Sequence, residues 1–125
     1  MQNLLCTLSI AAVVAGCSHA DEGRATDWTA LSLQGKTLDL VDDAKVETYS
    51  FSGQGLVAVT IGTKGGPVAA PLYYWRVKDN SLIISELPNE KGVEELGTPK
   101  IQGDLVSAKR GTGSKAQYRL SKSRA

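Results

Sequence analysis

From Trp28 onward the chain alternates apolar and polar residues in short runs, interrupted by turn-forming residues about every 8–12 positions. That rhythm leaves no room for an amphipathic helix longer than a turn or two and restricts the chain to short antiparallel strands. The runs fall at residues 37–41, 46–52, 56–61, 72–78, 81–86, 98–102, 105–109 and 116–121. In the second, Tyr49 and Phe51 share one face and Thr48 and Ser50 the other. In the fourth, Tyr73, Trp75 and Val77 share one face, while Leu72, Tyr74, Arg76 and Lys78 form a mostly wet one. Asp79-Asn80 is a strong hairpin signal, because both residue types tolerate left-handed backbone angles. Ser52-Gly53-Gln54-Gly55 predicts a second reversal, with its glycines at positive φ. Further reversals are expected at Asp42-Asp43, Gly103-Asp104 and Gly111-Thr112-Gly113-Ser114. Residues 62–71 are the longest unpatterned stretch, either a mobile loop or a partial extension of the flanking strands. Residues 87–97 read as a polar loop with at most one helical turn, since Gly92 weakens a helix and only Val93 and Leu96 offer an apolar face.

Eight sequential antiparallel strands form a meander, and a meander hides its edges by closing into a barrel. The expected class is therefore all-β, an approximately eight-stranded antiparallel barrel. An interior of that size is about filled by side chains or holds one small ligand. Trp28, Tyr49, Phe51, Tyr73, Trp75 and Tyr118 are the expected core anchors. The segments Leu33-Gln34-Gly35-Lys36-Thr37-Leu38, Tyr49-Ser50-Phe51-Ser52-Gly53-Gln54-Gly55 and Tyr74-Trp75-Arg76-Val77-Lys78-Asp79-Asn80-Ser81-Leu82 together resemble the small lipocalin-like domains of bacterial surface proteins. The resemblance implies a fold far more than an activity.

Ahead of the domain, residues 4–14 form an almost unbroken apolar run that ends in Val14-Ala15-Gly16-Cys17 and then turns polar. It has the apolar core of an export signal, and at roughly a dozen residues it falls short of the about 20 needed to span a bilayer. Val14-Ala15-Gly16-Cys17 resembles the lipobox of bacterial lipoproteins, although the first residues carry no Lys or Arg. The resemblance implies cleavage before Cys17, acylation of Cys17, and anchoring by palmitate-type chains. Ser18 in the following position implies sorting to the outer membrane of a Gram-negative host, facing the periplasm. The alternatives are a plain secretory signal and a buried apolar segment. Residues 1–16 are thus expected to be the signal peptide, 17–27 a lipidated tether, 28–121 the barrel and 122–125 a frayed tail.

The 109 residues from Cys17 onward make one small domain, expected to be a monomer. Cys6 leaves with the signal and Cys17 carries lipid, so the domain has no disulfide, thiol nucleophile or thiolate metal site. The only histidine, His19, lies in the tether and excludes histidine-based triads and metal sites in the barrel. No catalytic residue, metal or cofactor is expected. The paired carboxylates Asp42-Asp43 and Glu94-Glu95 leave a hydrolase as a weaker alternative. Net charge is +1, yet residues 100–125 hold seven basic side chains against the single acid Asp104, while residues 17–99 carry a net −5. Such a basic end lies on anionic headgroups, meets an acidic partner, faces the acidic loops of its own domain, or is simply a solvated edge. Nucleic acid is not expected for an exported, anchored domain.

The remaining reading is a binding protein. Gly62-Thr63-Lys64-Gly65-Gly66 lacks the spacing of a phosphate loop. Thr63-Lys64-Gly65 weakly resembles a loop of the barrel lipoproteins that inhibit lysozymes, but Val59 stands where that family has tyrosine and its cysteine pair is missing. Tyr74 beside Arg76 and Lys78 has the composition of a binding hot spot. Thr63, Lys64, Tyr74, Arg76 and Lys78 are accordingly the candidate surface for a periplasmic protein partner in an inhibitor, immunity or accessory role. The alternative function is a carrier of a small apolar ligand inside the barrel.

Overall fold

The computed structural model describes residues 23–123. The signal peptide, Cys17, Ser18 and His19, together with residues 124 and 125, lie outside the described residues. Eleven strands follow one another: β1 Arg24–Ala25, β2 Lys36–Leu40, β3 Lys45–Phe51, β4 Leu56–Thr63, β5 Val68–Ala69, β6 Leu72–Lys78, β7 Ser81–Ser85, β8 Glu94–Leu96, β9 Lys100–Gln102, β10 Leu105–Lys109 and β11 Lys115–Lys122. One-turn 3-10 helices at Thr29–Leu31 and Gly53–Gly55 are the only helical segments among the described residues.

All pairings are antiparallel, in the order β1-β9-β10-β11-β2-β3-β4-β6-β7-β8, with β5 paired to β4. The sheet curls so that β8 meets the end of β10: Leu96 bridges to Arg110, the Gly97 N–H donates to the Lys109 carbonyl at 2.8 Å, and the Gly111 N–H donates to the Glu95 carbonyl at 2.8 Å. β8 and β9 therefore run along the same neighbour as one interrupted strand. Ser107 faces Lys100 and Arg110 faces Leu96, so Thr98 and Pro99 together oppose the single residue Ala108. Two residues against one is a β-bulge, a site suited to proline because no ladder donor is required there. The freed Pro99 carbonyl accepts the Thr26 N–H at 2.9 Å. With β8 and β9 counted as one, β5 taken as the continuation of β6 along β4, and the two-residue β1 set aside, the wall has the eight strands that the rhythm of turns implies.

Several turns form where the chemistry places them. Asp79 and Asn80 both take positive φ, 51° and 55°, as a tight hairpin with the right-handed twist requires. In the 52–55 turn the left-handed positions are Gln54 at 65° and Gly55 at 74°, not Gly53. The 62–71 stretch partly extends β4: Val68 and Ala69 fold back on Gly62 and Ile61. A Cβ on Gly62 would collide with the Pro67 carbonyl. Within 87–97 no helical turn forms; Glu94–Leu96 is a strand instead. Arg24 and Ala25, read as tether, pair with Ile101 and Lys100. Lys122 pairs with Lys36 and the Ser123 N–H donates to the Gly35 carbonyl, so the start of the expected tail is held.

Inward residues fill the barrel: Leu38, Tyr49, Phe51, Val57, Val59, Leu82, Ile84, Leu96, Val106 and Tyr118 form one buried cluster with Trp28, Leu31 and Leu33. Tyr73 and Trp75 pack against it partly buried. A meander turns at alternate ends, so the connections at 41–44, 64–71, 86–93 and 110–114 share one end, here called the mouth. Those at 52–55, 79–80 and 103–104 share the other, the base. Trp28 plugs the base; its indole N–H donates to the Gly97 carbonyl at 2.9 Å, and its backbone N–H donates to Asn80 Oδ1 at 3.0 Å.

Candidate functional site

Residues i and i+2 of a strand share a face, so Glu47 points inward with Tyr49 and Phe51, and Arg110 continues the inward phase of Val106 and Ala108. The two meet just inside the mouth. Arg110 grips Glu47 with both nitrogens, Nη2 to Oε1 at 3.0 Å and Nη1 to Oε2 at 3.2 Å, and Nη1 also donates to Glu94 Oε1 at 3.1 Å. Tyr49 and Tyr118 each donate their hydroxyl to Glu47 Oε2, at 2.8 and 2.5 Å. Their rings lie 6.1 Å apart, tilted by 59°. Two carboxylates thus share one guanidinium, leaving the group one negative charge in excess.

Burial alone would raise the Glu47 carboxyl, but the hydrogen bonds from Tyr118, Arg110 and Tyr49 outweigh it and hold the group below the usual carboxylate range. Burial raises Glu94 above that range against the pull of Arg110, and the charge of Glu47 adds to the rise. Burial and the adjacent Glu47 push both tyrosine hydroxyls far up, so they stay protonated donors. Burial disfavours the Arg110 cation, but Glu47 overrides this and keeps it charged. Glu47, Tyr49 and Glu94 line a cavity of about 170 Å³ with Val59, Ile61, Tyr73, Ile84 and Val93. Its chemistry is that of a small amphipathic recess: aromatic and aliphatic walls, with carboxylate at the bottom.

Residues singled out in the sequence are spread more widely. Thr63 and Lys64 are exposed on the mouth turn, where the Lys64 N–H donates to the Ala44 carbonyl at 2.8 Å and ties the loop to the β2–β3 connection. Tyr74 is half-buried on the outer wall between Leu56 and Ser85. Arg76 is occupied: Nη2 donates to the Glu90 carbonyl at 2.7 Å and Nη1 to Ser85 Oγ at 3.3 Å, so it pins the 86–93 loop onto the wall. A Cβ on Gly92 would stand 2.9 Å from Ile83 Cγ2, and that close approach lets the loop cover Ile83. Lys78 is exposed at the base end of β6, four residues and about 13 Å of strand from Tyr74. The structure thus places Thr63 and Lys64 at the mouth and separates them from Lys78.

The adjacent carboxylates do not act as pairs either. Asp42 accepts the Lys45 and Ala44 N–H groups at 2.5 and 2.9 Å. Those bonds lower its carboxyl below the usual range and make it a turn cap. Glu94 and Glu95 are consecutive in β8 and point to opposite faces, so the partner of Glu94 across Arg110 is Glu47. Sequence reading missed Glu47 and Arg110, although each lies in phase with a core face, which is a usable signal for an internal ion pair.

The six large hydrophobic side chains exposed among the described residues are Val41, Ile61, Val68, Leu72, Leu87 and Val93, 39 to 61% exposed. Five sit in a mouth connection or on the strand residue next to one, and Ile61 lies two residues inside the mouth end of β4, so all six gather toward a single end of the barrel. Comparison of the chain with protein-family models, curated proteins and solved structures finds no match.

Proposed function

We propose that this chain is a lipid-anchored envelope protein whose barrel binds a protein partner at its mouth. The observation that carries the reading is the apolar ring around that end, a distribution that marks interaction surfaces when it is contiguous. Thr63, Lys64 and Tyr74 flank the ring, and the recess above Glu47 and Glu94 gives a partner side chain somewhere to enter. The recess holds about 170 Å³, below the about 300–1,000 Å³ of small-ligand sites, so a carrier would have to use the cavity of about 330 Å³ beside Trp28 and Trp75 instead; the apolar exposure at the mouth favours the protein binder. The lipobox at Val14-Ala15-Gly16-Cys17 supports attachment through Cys17, with Ser18 directing the protein to the outer membrane of a Gram-negative cell.

Both parts are testable. Radiolabelled palmitate is expected to enter the full chain in cells and to be absent from Cys17→Ala; equal labelling of the two would end the anchor reading. For the mouth, Val68→Ser with Leu72→Ser is expected to lower capture of the partner from envelope extract at least tenfold. These side chains are already exposed, so the melting temperature should move little. Unchanged capture, or no capture by the unmutated protein, would remove the mouth from consideration. Arg76 is unsuitable for this test because its loss would also release the 86–93 loop.

A further inference from the structure

The basic surplus of the C-terminal third has a definite location. Arg110 is paired with Glu47 and Glu94, and Arg119 with Asp104 at 3.1 Å. Lys100, Lys109 and Lys115 form no ion pair among the described residues; they converge on the outer wall of β9, β10 and β11. The register makes this explicit, because directly paired residues share a face: Lys100, Ser107 and Gln117 form one rung, and Lys109 and Lys115 form the next. Two lysines set opposite each other destabilise a sheet. Here no carboxylate stands among the lining residues to relieve them.

This wall carries a groove beside the bulge. A cavity of about 820 Å³ runs along the seam, lined by Gly97, Thr98, the three lysines, Ser107 and Gln117, together with Ala108 and Ala116, whose side chains belong to the barrel core. Cationic side chains beside a hydroxyl and an amide suit the oxygens of a phosphodiester. The groove also lies where the chain leaves the domain: Ala25 pairs with Lys100 at its edge. Cys17 is six residues before Gly23, a reach of at most about 21 Å.

We propose that the Lys100, Lys109 and Lys115 groove docks on anionic phospholipid headgroups, laying this wall of the barrel against the membrane surface. The occupant is lipid because the groove is cationic without a carboxylate and sits beside the exit toward the anchor. Its position near the anchor rests on the proposed acylation of Cys17, but the headgroup binding does not need it.

The test uses the unacylated domain, residues 18–125, which contains every strand and the buried core cluster of the described residues, and vesicles of phosphatidylcholine with or without one-third phosphatidylglycerol. With about 1 kcal/mol per lysine near such a surface, equivalent to roughly fivefold each, the domain is expected to bind the anionic vesicles roughly 100-fold more tightly than neutral ones. Binding should weaken steeply with salt. Replacing Lys100, Lys109 and Lys115 by Gln should remove that advantage, whereas Lys45→Gln, Lys91→Gln and Lys122→Gln, an equal charge change elsewhere, should keep most of it. Equal affinity for both vesicles would overturn the proposal, as would an equal loss in the control triple. Loss of protein capture without loss of vesicle binding in the groove triple would assign the groove to an acidic protein instead. The Val68→Ser/Leu72→Ser variant should bind vesicles normally, which separates failure here from failure of the mouth reading.

Discussion

Replacing Trp28 by alanine is expected to cost about 3–5 kcal/mol of folding free energy, the range for deleting a large buried aromatic side chain. A domain of this size has about 5–15 kcal/mol in total, so the variant should lose between about a fifth and all of its stability. The side chain is 1% exposed and is the largest in the core, but burial is only part of the reason. Its indole N–H serves the Gly97 carbonyl, next to the bulge, and its backbone N–H is held by Asn80. Asn80 in turn donates through Nδ2 to the Thr26 carbonyl at 3.2 Å. One residue thus joins the leading segment, the β6–β7 hairpin and the seam. Trp28→Phe retains most of the apolar area and leaves the Gly97 carbonyl without its donor, so a smaller cost of about 1–3 kcal/mol is expected. Urea midpoints measure both. A cost below about 1 kcal/mol for the alanine variant would mean that the base is not plugged as described.

The second large effect concerns Glu47, whose side chain is 14% exposed. Glu47→Ala strands Arg110 and two tyrosine hydroxyls inside the mouth, and removing one partner of a largely buried pair costs about 3–5 kcal/mol. Glu47→Gln keeps an acceptor but loses the charge, and should fall between the two. Combining Glu47→Leu with Arg110→Met is expected to recover much of the loss, since the desolvation of both charges disappears together. If the double variant is no better than Glu47→Ala, the network contributes through something other than its charges.

Acid stability follows from the same group, with opposite signs for its two carboxyls. The folded-state value of Glu47 lies below the ordinary 4.5, so its stabilisation is complete above about pH 4.5 and is lost as pH falls through the lowered value. Glu94 is raised above 4.5, so the folded chain holds that proton more tightly than the unfolded one. Its contribution is present below pH 4.5 and disappears as pH rises through the raised value. Denaturation midpoints across this range should therefore show an acid limb that Glu47→Gln removes, and a decline above pH 4.5 that Glu94→Gln removes.

How much of this was legible depended on whether local chemistry and tertiary position agreed. Asp79-Asn80 declares its hairpin because the backbone angles it needs are those the residues tolerate. β6 declares its inner face because Tyr73, Trp75 and Val77 alternate with polar neighbours. β8 stayed hidden for the opposite reason: its inward residues are Glu94 and Leu96, so half of its buried face is a carboxylate and the alternation disappears. Arg76 read as a free cation because nothing in its own strand shows that residues 86–93 fold back over the outer wall. Glu47 was readable in principle, since it lies two positions before Tyr49 on the same face, but a charge at the end of a core face also fits a solvated strand end.

The pairing of β2 with β11 has a consequence in time rather than in space. Leu38 faces Leu120 and Lys36 faces Lys122, so the first long strand has no neighbour on that side until the last one has been synthesised. Contacts this far apart in sequence form slowly, because the intervening chain must be closed into a loop first. A nascent chain of this design stays open along this seam until β11 has been synthesised. That delay would suit the export proposed above, in which the chain crosses a membrane unfolded and gains its shape only on arrival.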